Sequence, residues 1–148
     1  MLSLPFGPLW EEIAWRAYAL RKLELRFSPL VAAAIVGAYW GIWHIPLWMA
    51  TMVIPPALLP RVIITACLNL VAWSVIFAFV YERTGQSLPV TILLHTTYGS
   101  VMLEFARIAS GNDLYLIEAV AVLSACLAFG LAVGNSWFRR SPGAADAA

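Results

Sequence analysis

Charged side chains are scarce in this chain of 148 residues, because Asp, Glu, Lys and Arg together make up only 11% of it. A soluble domain carries about a quarter charged residues, whereas here 62% of the residues are hydrophobic. The formal net charge is +1, and no dense cluster of Lys and Arg is available to neutralise nucleic-acid phosphates. The composition excludes an ordinary soluble domain and a nucleic-acid-binding protein, and it indicates an integral membrane protein.

Several motifs of secreted and metal-binding proteins are also missing. The two cysteines, Cys67 and Cys126, lie in apolar runs without CxxC spacing, which favours buried thiols over a disulfide framework. No HExxH motif offers a zinc site on one helix. The start of the chain, MLSLPFGPLWEE, lacks the basic segment and cleavage site of a signal peptide. Insertion into a membrane is therefore expected to depend on spanning helices.

Four apolar stretches are long enough to cross a bilayer as helices, which takes about 20 residues. They cover residues 29–53, 61–82, 88–108 and 114–138. Pro46 is expected to bend or break the far end of the first stretch. The turns between them are rich in Gly, Ser, Asn and Pro, as helix boundaries often are.

Residues 8–26 differ from these stretches, because charged and apolar positions alternate along them. This pattern predicts an amphipathic helix that dips into the bilayer or packs in the bundle. The predicted fold is therefore an all-α polytopic membrane helix bundle, with four transmembrane helices and one N-terminal amphipathic or partly embedded helix. We expect residues 1–148 to form a single domain, with core motifs over 7–100 and a flexible tail over 141–148.

The basic residues near the predicted helix ends are distributed unequally. By the positive-inside rule, the side richer in Lys and Arg faces the cytoplasm, which would place the C-terminus there. The richer side carries Arg21, Lys22, Arg26, Arg83, Arg139 and Arg140, and the other carries Arg61 and Arg107.

The segment GPLWEEIAWR concentrates charge in an otherwise apolar chain. On a helix, Glu12 and Arg16 are four residues apart with the acid first, which favours an ion pair. Glu11 points about 100° away from Glu12 and is left without an assigned partner, so it is the better candidate for a base. A place at the helix N-terminus, in contact with headgroup water, would explain Glu11 equally well.

Both histidines of the chain, His44 and His95, fall within predicted spans. Each alone is more often a hydrogen-bonded core residue than a catalyst. Together with Glu11, however, they could converge in a bundle to form a general base, an electrophilic stabiliser or a metal site. Trp40 lies one turn before His44 and could form a wall of that site, and Gly99 shares the helix face of His95.

Three segments, in order, resemble the motifs of a known family. GPLWEEIAWRAYAL resembles an EExxxR motif, with its glutamates and arginine at positions 11, 12 and 16. YWGIWHIPLW resembles a motif with an aromatic residue four positions before a histidine, here Trp40 and His44. YERTGQSLPVTILLHTTYG resembles the segment that carries the third motif, here with His95. The family is the CPBP intramembrane metalloproteases, also called the CAAX prenyl protease type II or Abi family.

This resemblance implies an intramembrane endopeptidase that hydrolyses a peptide bond in a prenylated or leader-bearing, membrane-associated peptide or protein. Glu11 would activate water, His44 would help to position it, and His95 would stabilise the oxyanion. Glu12 and Arg16 would hold the first helix. A divalent metal such as zinc, bound by Glu11, His44 and His95, is the cofactor that the resemblance allows. The expected location is a prokaryotic cytoplasmic membrane.

The sequence departs from the family pattern at two points. Gly99 stands where the third motif usually has an asparagine, and a glycine side chain cannot donate to an oxyanion. Family members also usually carry further helices before the EExxxR segment. We therefore expect weakened activity and helices contributed by a partner or a second copy. Two alternatives stay open: a silent relative that acts as an immunity protein against bacteriocin-like peptides, and a small proton-coupled transporter.

Overall fold

The computed structural model describes residues 6–51, 55–108 and 114–141, and within these ranges every regular element is a helix. The first helix, α1, has three consecutive parts, of which the middle one is a π-helix. The parts of α1 are Phe6–Glu12, Ile13–Leu20 and Arg21–Glu24. The remaining elements are α2 (Pro29–Thr51), α3 (Leu59–Arg83), α4 (Leu88–Ile108), α5 (Leu114–Gly134) and a short 3-10 turn (Ser136–Arg139).

Two helices of the described part are long and apolar enough to cross a membrane: Pro29–Ala50 within α2, and α3. The other two predicted spans also form helices, α4 and α5, but their crossing of a membrane stays a prediction. The helix α2 continues through Pro46 to Thr51, so of the expected bend or break the break is wrong, and the bend stays a prediction. Proline removes one backbone hydrogen bond, and the flanking bonds of a long apolar helix suffice to continue it.

The fourth predicted span ends earlier than expected, at Gly134 instead of residue 138. Asn135 has extended backbone (φ −121°, ψ 118°), and its side chain accepts a hydrogen bond from the Trp137 N–H. The 3-10 turn that follows buries Trp137 and Phe138 against the bundle. Of the predicted tail over residues 141–148, residues 142–148 lie outside the described residues, and so does the predicted turn at 110–113.

The helix α1 is amphipathic in an inverted sense. Its buried side carries Glu12, Arg16, Leu20 and Glu24, at intervals of four residues, whereas Trp10, Ile13 and Tyr18 are among its exposed side chains. In water this arrangement would be unfavourable, but lipid is a good solvent for apolar side chains and a poor one for charges. The predicted helix over residues 8–26 is thus present and ends at Glu24, and it packs Glu12, Arg16 and Glu24 into the bundle, whereas Lys22 and Arg26 are exposed.

The helix α3 packs along α2 and α5, and α4 packs against α1 and α3. The backbones of α2 and α3 approach each other closely at Gly37 and Gly41. A Cβ at Gly37 would lie 2.6 Å from the Val71 Cα, and a Cβ at Gly41 would lie 3.1 Å from the Cys67 Cα. Small residues allow such close packing between membrane helices. This contact fixes the position of the middle of α2, where the candidate site begins.

Candidate active site

The candidate site lies where α1, α2 and α4 meet. Glu11 comes from α1, and its Oε2 accepts a hydrogen bond of 2.7 Å from the indole Nε1–H of Trp40 on α2. The sequence left Glu11 without a partner, so this contact corrects that expectation. A tryptophan from another helix supplies the donor, and its ring is almost fully buried. The Glu11 carboxylate is therefore fixed in place, while 23% of its side chain remains exposed.

Glu12 is fully buried and connects two other parts of the site. Its Oε1 accepts a hydrogen bond of 2.8 Å from Nδ1 of His95, and its Oε2 lies 3.3 Å from Nε of Arg16. The ion pair that the i,i+4 spacing predicts is thus present. Because an ionised carboxylate only accepts, the hydrogen-bond proton belongs to His95 Nδ1. Glu12 consequently fixes the orientation of the His95 ring across two helices.

The buried Arg16 guanidinium rests between aromatic rings. Its Cζ lies 5.3 Å from the ring centre of Trp40 and 4.8 Å from that of Phe77 on α3. Within the described part of the chain, no hydrogen bond reaches its nitrogens, so ion pairing and ring faces balance its charge. Desolvated cation–π contacts contribute about 2 kcal/mol or more. Arg16 thereby ties α1 to α2 and α3 directly behind the two glutamates.

The π-helical part of α1 begins directly after Glu12 and contains Arg16. Its wider turn replaces the usual i→i+4 hydrogen bonds by i→i+5 bonds, a local feature that is frequent at functional sites. Nothing in the sequence signalled it, because a π-helix has no simple residue pattern. It follows directly on Glu11 and Glu12 and carries Arg16, so the change in helix geometry lies within the charged segment of α1.

Glu11 and His95 face each other across a short gap. The His95 Nε2 lies 4.0 Å from the Glu11 Oε2, which is too long for a hydrogen bond. A water molecule about 2.8 Å from each atom would fit such a separation. The His95 side chain is only 8% exposed, and Trp40 and Phe77 pack against its ring. The pair thus combines a held carboxylate with a held imidazole in apolar surroundings, where electrostatic interactions are strong.

His44 joins this group through Trp40 instead of facing the gap with the other two. Its Nδ1–H donates to the Trp40 carbonyl over 2.9 Å, and its ring packs on Trp48 with centroids 5.6 Å apart. With the proton on Nδ1, Nε2 is left with a free lone pair. Trp48 in turn packs against the buried cluster around Trp40. His44 therefore offers an acceptor at the edge of the site.

Among the described residues, Glu11, His44 and His95 are not arranged as a three-ligand metal centre. A catalytic zinc site takes three protein donors, each about 2.0–2.2 Å from the metal. Within residues 6–51, 55–108 and 114–141, no group of three His, Cys, Asp or Glu side chains could hold a metal ion. Glu11 and His95 come close together, and His44 does not complete a triad with them. The chemistry below therefore uses these side chains directly, and metal binding stays a prediction.

Two polar residues near the site were missed at the level of sequence. Asn69 on α3 is 8% exposed, and its Nδ2 donates over 2.9 Å to the hydroxyl of Tyr98 on α4. The Tyr98 ring packs against that of Trp73 at a tilt of 37°, with ring centres 4.4 Å apart. An asparagine in an apolar span is itself a signal, because a polar side chain there needs a partner. At the neighbouring Gly99, a Cβ would meet no atom within 4 Å.

The helix α4 also carries several hydroxyl residues near His95. Thr91, fully buried, donates to the Leu88 carbonyl, and Thr96 and Ser100 donate to carbonyls one turn earlier. Serine and threonine hydroxyls in helices commonly bond to the backbone of their own helix in this way. None of the three is needed to hold Glu11 or His95, whose partners come from α1 and α2.

Comparison with known proteins identifies the family of the chain. The family described as type II CAAX prenyl endopeptidase Rce1-like matches residues 1–101. A stretch of 47 residues is 36% identical to the CAAX prenyl protease 2 of Methanococcus maripaludis, covering 32% of this chain and 17% of that relative. The chain thus spans only about a sixth of the curated relative that it matches. No solved structure matches. By its match over more than half of its residues, the chain belongs to the type II CAAX prenyl endopeptidase Rce1-like family.

Proposed function

We propose that this protein is an intramembrane endopeptidase that hydrolyses a peptide bond in a prenylated or leader-bearing, membrane-associated peptide or protein. One observation carries the proposal: the Glu11 carboxylate and the His95 imidazole face each other over 4.0 Å, and each is held by a hydrogen bond from a different helix. This is the arrangement that general-base hydrolysis needs, with a base on one side and a donor on the other.

The reaction would begin with a water molecule between Glu11 and His95. Glu11 accepts a proton from this water while its oxygen attacks the carbonyl carbon of the substrate. The carbonyl oxygen becomes negative and accepts a hydrogen bond from Nε2–H of protonated His95, whose Nδ1–H stays bound to Glu12. When the C–N bond breaks, Glu11 returns its proton to the leaving amine. Glu11 thus ends the cycle ionised, and the products are a carboxylic acid and an amine.

The supporting residues would act by position. Trp40 donates to Glu11 and keeps its carboxylate aimed at the gap, and Arg16 balances the charge of the adjacent glutamates. His44 keeps its free Nε2 at the edge of the site, so its role in positioning the water stays a prediction. Preorganised groups of this kind need no rearrangement during the reaction, which is the main source of their effect on rate.

The site would open toward one face of the membrane. His95 lies seven residues into α4, about 10 Å from the end of the bundle that carries most basic side chains. That end holds Arg83, the last residue of α3, and Arg140 near Glu82. We propose that α2 to α5 all span the membrane, that this basic end faces the cytoplasm of a prokaryotic cell, and that the C-terminus lies there.

Cleavage of defined peptides by the purified protein in nanodiscs tests the proposal. Prenylated CAAX peptides and leader peptides would be offered, and products would be identified by mass spectrometry. Glu11→Gln should lower kcat by about 100-fold or more, since it removes the base but keeps the side-chain shape. Glu118→Gln is the matched control, because Glu118 pairs with Arg61 at the exposed start of α3. It should cleave like the wild type.

The same cleavage assay tests whether Gly99 weakens the activity and whether the activity depends on a metal ion. The space at Gly99 accommodates a side chain, so Gly99→Asn should fold and, by adding a donor, raise kcat by about tenfold or more. Retained activity with a chelator would support water activation by Glu11 without a metal. Full activity in Glu11→Gln would refute the assigned base. Silence of the wild type and of Gly99→Asn on every peptide would overturn the endopeptidase proposal in favour of a binding role.

A further inference from the structure

One end of the bundle carries a fixed group of arginines that the proposed chemistry does not use. Arg83 ends α3, and Arg139 and Arg140 belong to or follow the 3-10 turn. We call these three residues the basic platform. All three are exposed, and they come from segments that pack against each other through aromatic rings.

The aromatic rings hold the platform rigidly. Phe138 is 1% exposed and stacks on Phe79 of α3, with ring centres 6.2 Å apart. Trp137, also buried, contacts Phe138 edge-on at 4.7 Å. The Arg83 guanidinium carbon lies 5.4 Å from the ring centre of Phe79. A chain segment whose two aromatic side chains are buried in the bundle cannot behave as a free tail, so its arginines keep a defined position.

The charge at this end of the bundle is strongly positive. Arg140 Nη1 lies 3.8 Å from Glu82 Oε1, and Arg21 pairs with Glu24 at 2.9 Å. Among the described residues, these two glutamates are the acidic side chains placed there, and they leave most of the positive charge unbalanced. The basic side chains of this end are Arg21, Lys22, Arg26, Arg83, Arg139 and Arg140.

Apolar surface continues from the platform along α5. Arg139 donates through Nη1 to the Val133 carbonyl over 2.8 Å. Val133 is 55% exposed, and Phe129, one turn earlier, is 70% exposed. A cationic group directly above exposed apolar side chains matches a molecule with an anionic head and an apolar tail. A free phosphate ion would gain nothing from the apolar side chains of Val133 and Phe129, whereas an acyl chain would pack on them.

We propose that the basic platform binds the headgroup phosphate of an anionic phospholipid such as phosphatidylglycerol, with an acyl chain along Val133 and Phe129. Guanidinium groups suit this role, because their planar forks bind phosphate oxygens in pairs. The end of α3 at Arg83 lies at the edge of a predicted span, which is the depth of lipid phosphates. Lys22 and Arg26 add general attraction to a negative membrane surface. This proposal does not depend on the peptidase activity.

Titration of lipids into the full chain in detergent, with the thermal unfolding midpoint as the readout, tests the site. Dihexanoyl phosphatidylglycerol should raise the midpoint, whereas dihexanoyl phosphatidylcholine and inorganic phosphate at equal concentration should not. Arg139→Gln and Arg140→Gln should each weaken the phosphatidylglycerol response about fivefold in concentration. Arg61→Gln, at the opposite end of α3, is the matched control and should respond like the wild type.

Arg139→Lys separates charge from fork geometry, because it keeps the charge but loses the paired donors, and its response should fall between those of the wild type and Arg139→Gln. Equal responses to phosphatidylglycerol and inorganic phosphate would show a simple anion site and overturn the lipid proposal. Equal responses to both lipids, or unchanged responses in the glutamine variants, would overturn it as well. The midpoint without lipid shows that each variant is folded.

Discussion

The close contact of α2 with α3 makes a strong prediction for Gly37→Ala. The added Cβ would lie 2.6 Å from the Val71 Cα, 2.8 Å from the Ser74 Cβ and 3.0 Å from the Leu70 carbonyl oxygen. Ordinary carbon contacts are about 3.5–4.0 Å, so the two helices would have to separate by about 1 Å. Two of these three neighbours are backbone atoms, which cannot turn aside as a flexible side chain would. The helices themselves must move.

Overpacking of this kind costs about 2 kcal/mol, within the usual range for inserted methyl groups. For a chain of this size, that lowers the unfolding midpoint by about 4–8 °C. Activity should fall as well, because Gly37 lies one turn before Trp40. A shift of about 1 Å would stretch the 2.7 Å hydrogen bond from Trp40 to Glu11 beyond hydrogen-bonding distance. Misplacement on this scale can cost about 100-fold in rate.

Thermal unfolding in detergent and peptide cleavage would be measured on a graded series. Gly41→Ala has its nearest atoms at 3.1 Å and should be affected less than Gly37→Ala. Gly130→Ala has no atom within 4 Å, so it should be neutral or stabilised by up to about 1 kcal/mol, as expected for alanine in a helix. A Gly37→Ala protein as stable and active as Gly130→Ala would refute the argument that backbone contact positions α2.

Two further variants test single interactions. Trp40→Phe keeps a ring in place but removes the donor to Glu11, so kcat should fall about tenfold. Trp43→Phe, at an exposed position, is the control and should leave kcat unchanged. Equal kcat values for the two variants would contradict the role of this hydrogen bond. Burial raises the pKa of the Glu24 carboxyl above 4.5, although Arg21 opposes the shift. Its contribution to stability is thus complete below pH 4.5 and is lost as the pH rises through the raised pKa. Glu24→Gln should flatten this pH dependence and stabilise the protein at pH 7 by less than about 1 kcal/mol. Unfolding midpoints of the wild type and the variant between pH 4 and 8 measure this. Parallel curves for the two proteins would contradict the role of Glu24.

Local patterns were sufficient to predict the helices. The bounds expected for the spans over 29–53, 61–82 and 88–108 agree with α2, α3 and α4 to within two residues at each end, because apolar length and flanking turns define them. The end of α5 could not be predicted in the same way. Trp137 and Phe138 are as apolar as a span, and only their tertiary contact with Phe79 and α2 explains why the helix ends before them.

The site required information that no local pattern contains. The i,i+4 spacing was enough to predict the Glu12–Arg16 pair, since both residues lie on one helix. The partners of Glu11 and of His95 come from other helices, and a bundle allows many relative rotations for the same sequence. The Glu11–Trp40 hydrogen bond therefore depends on the position of α2, which the close contact at Gly37 fixes and which no local pattern predicts.

The inverted polarity of α1 explains why charged residues occur in so apolar a chain. Each buried charge in a membrane bundle costs free energy unless it is paired, and Glu12 pairs with Arg16 on its own helix and with His95 on α4. Of the two glutamates, Glu12 is thus occupied by Arg16 and His95. Glu11 keeps access to the gap in front of His95, and Trp40 donates a hydrogen bond to it. If Arg16 serves this balance of charge, Arg16→Met should impair folding more than Glu11→Gln does, because Met leaves the buried Glu12 uncompensated. The yield of monodisperse protein after purification measures this difference, and equal yields would show that the two glutamates do not depend on Arg16.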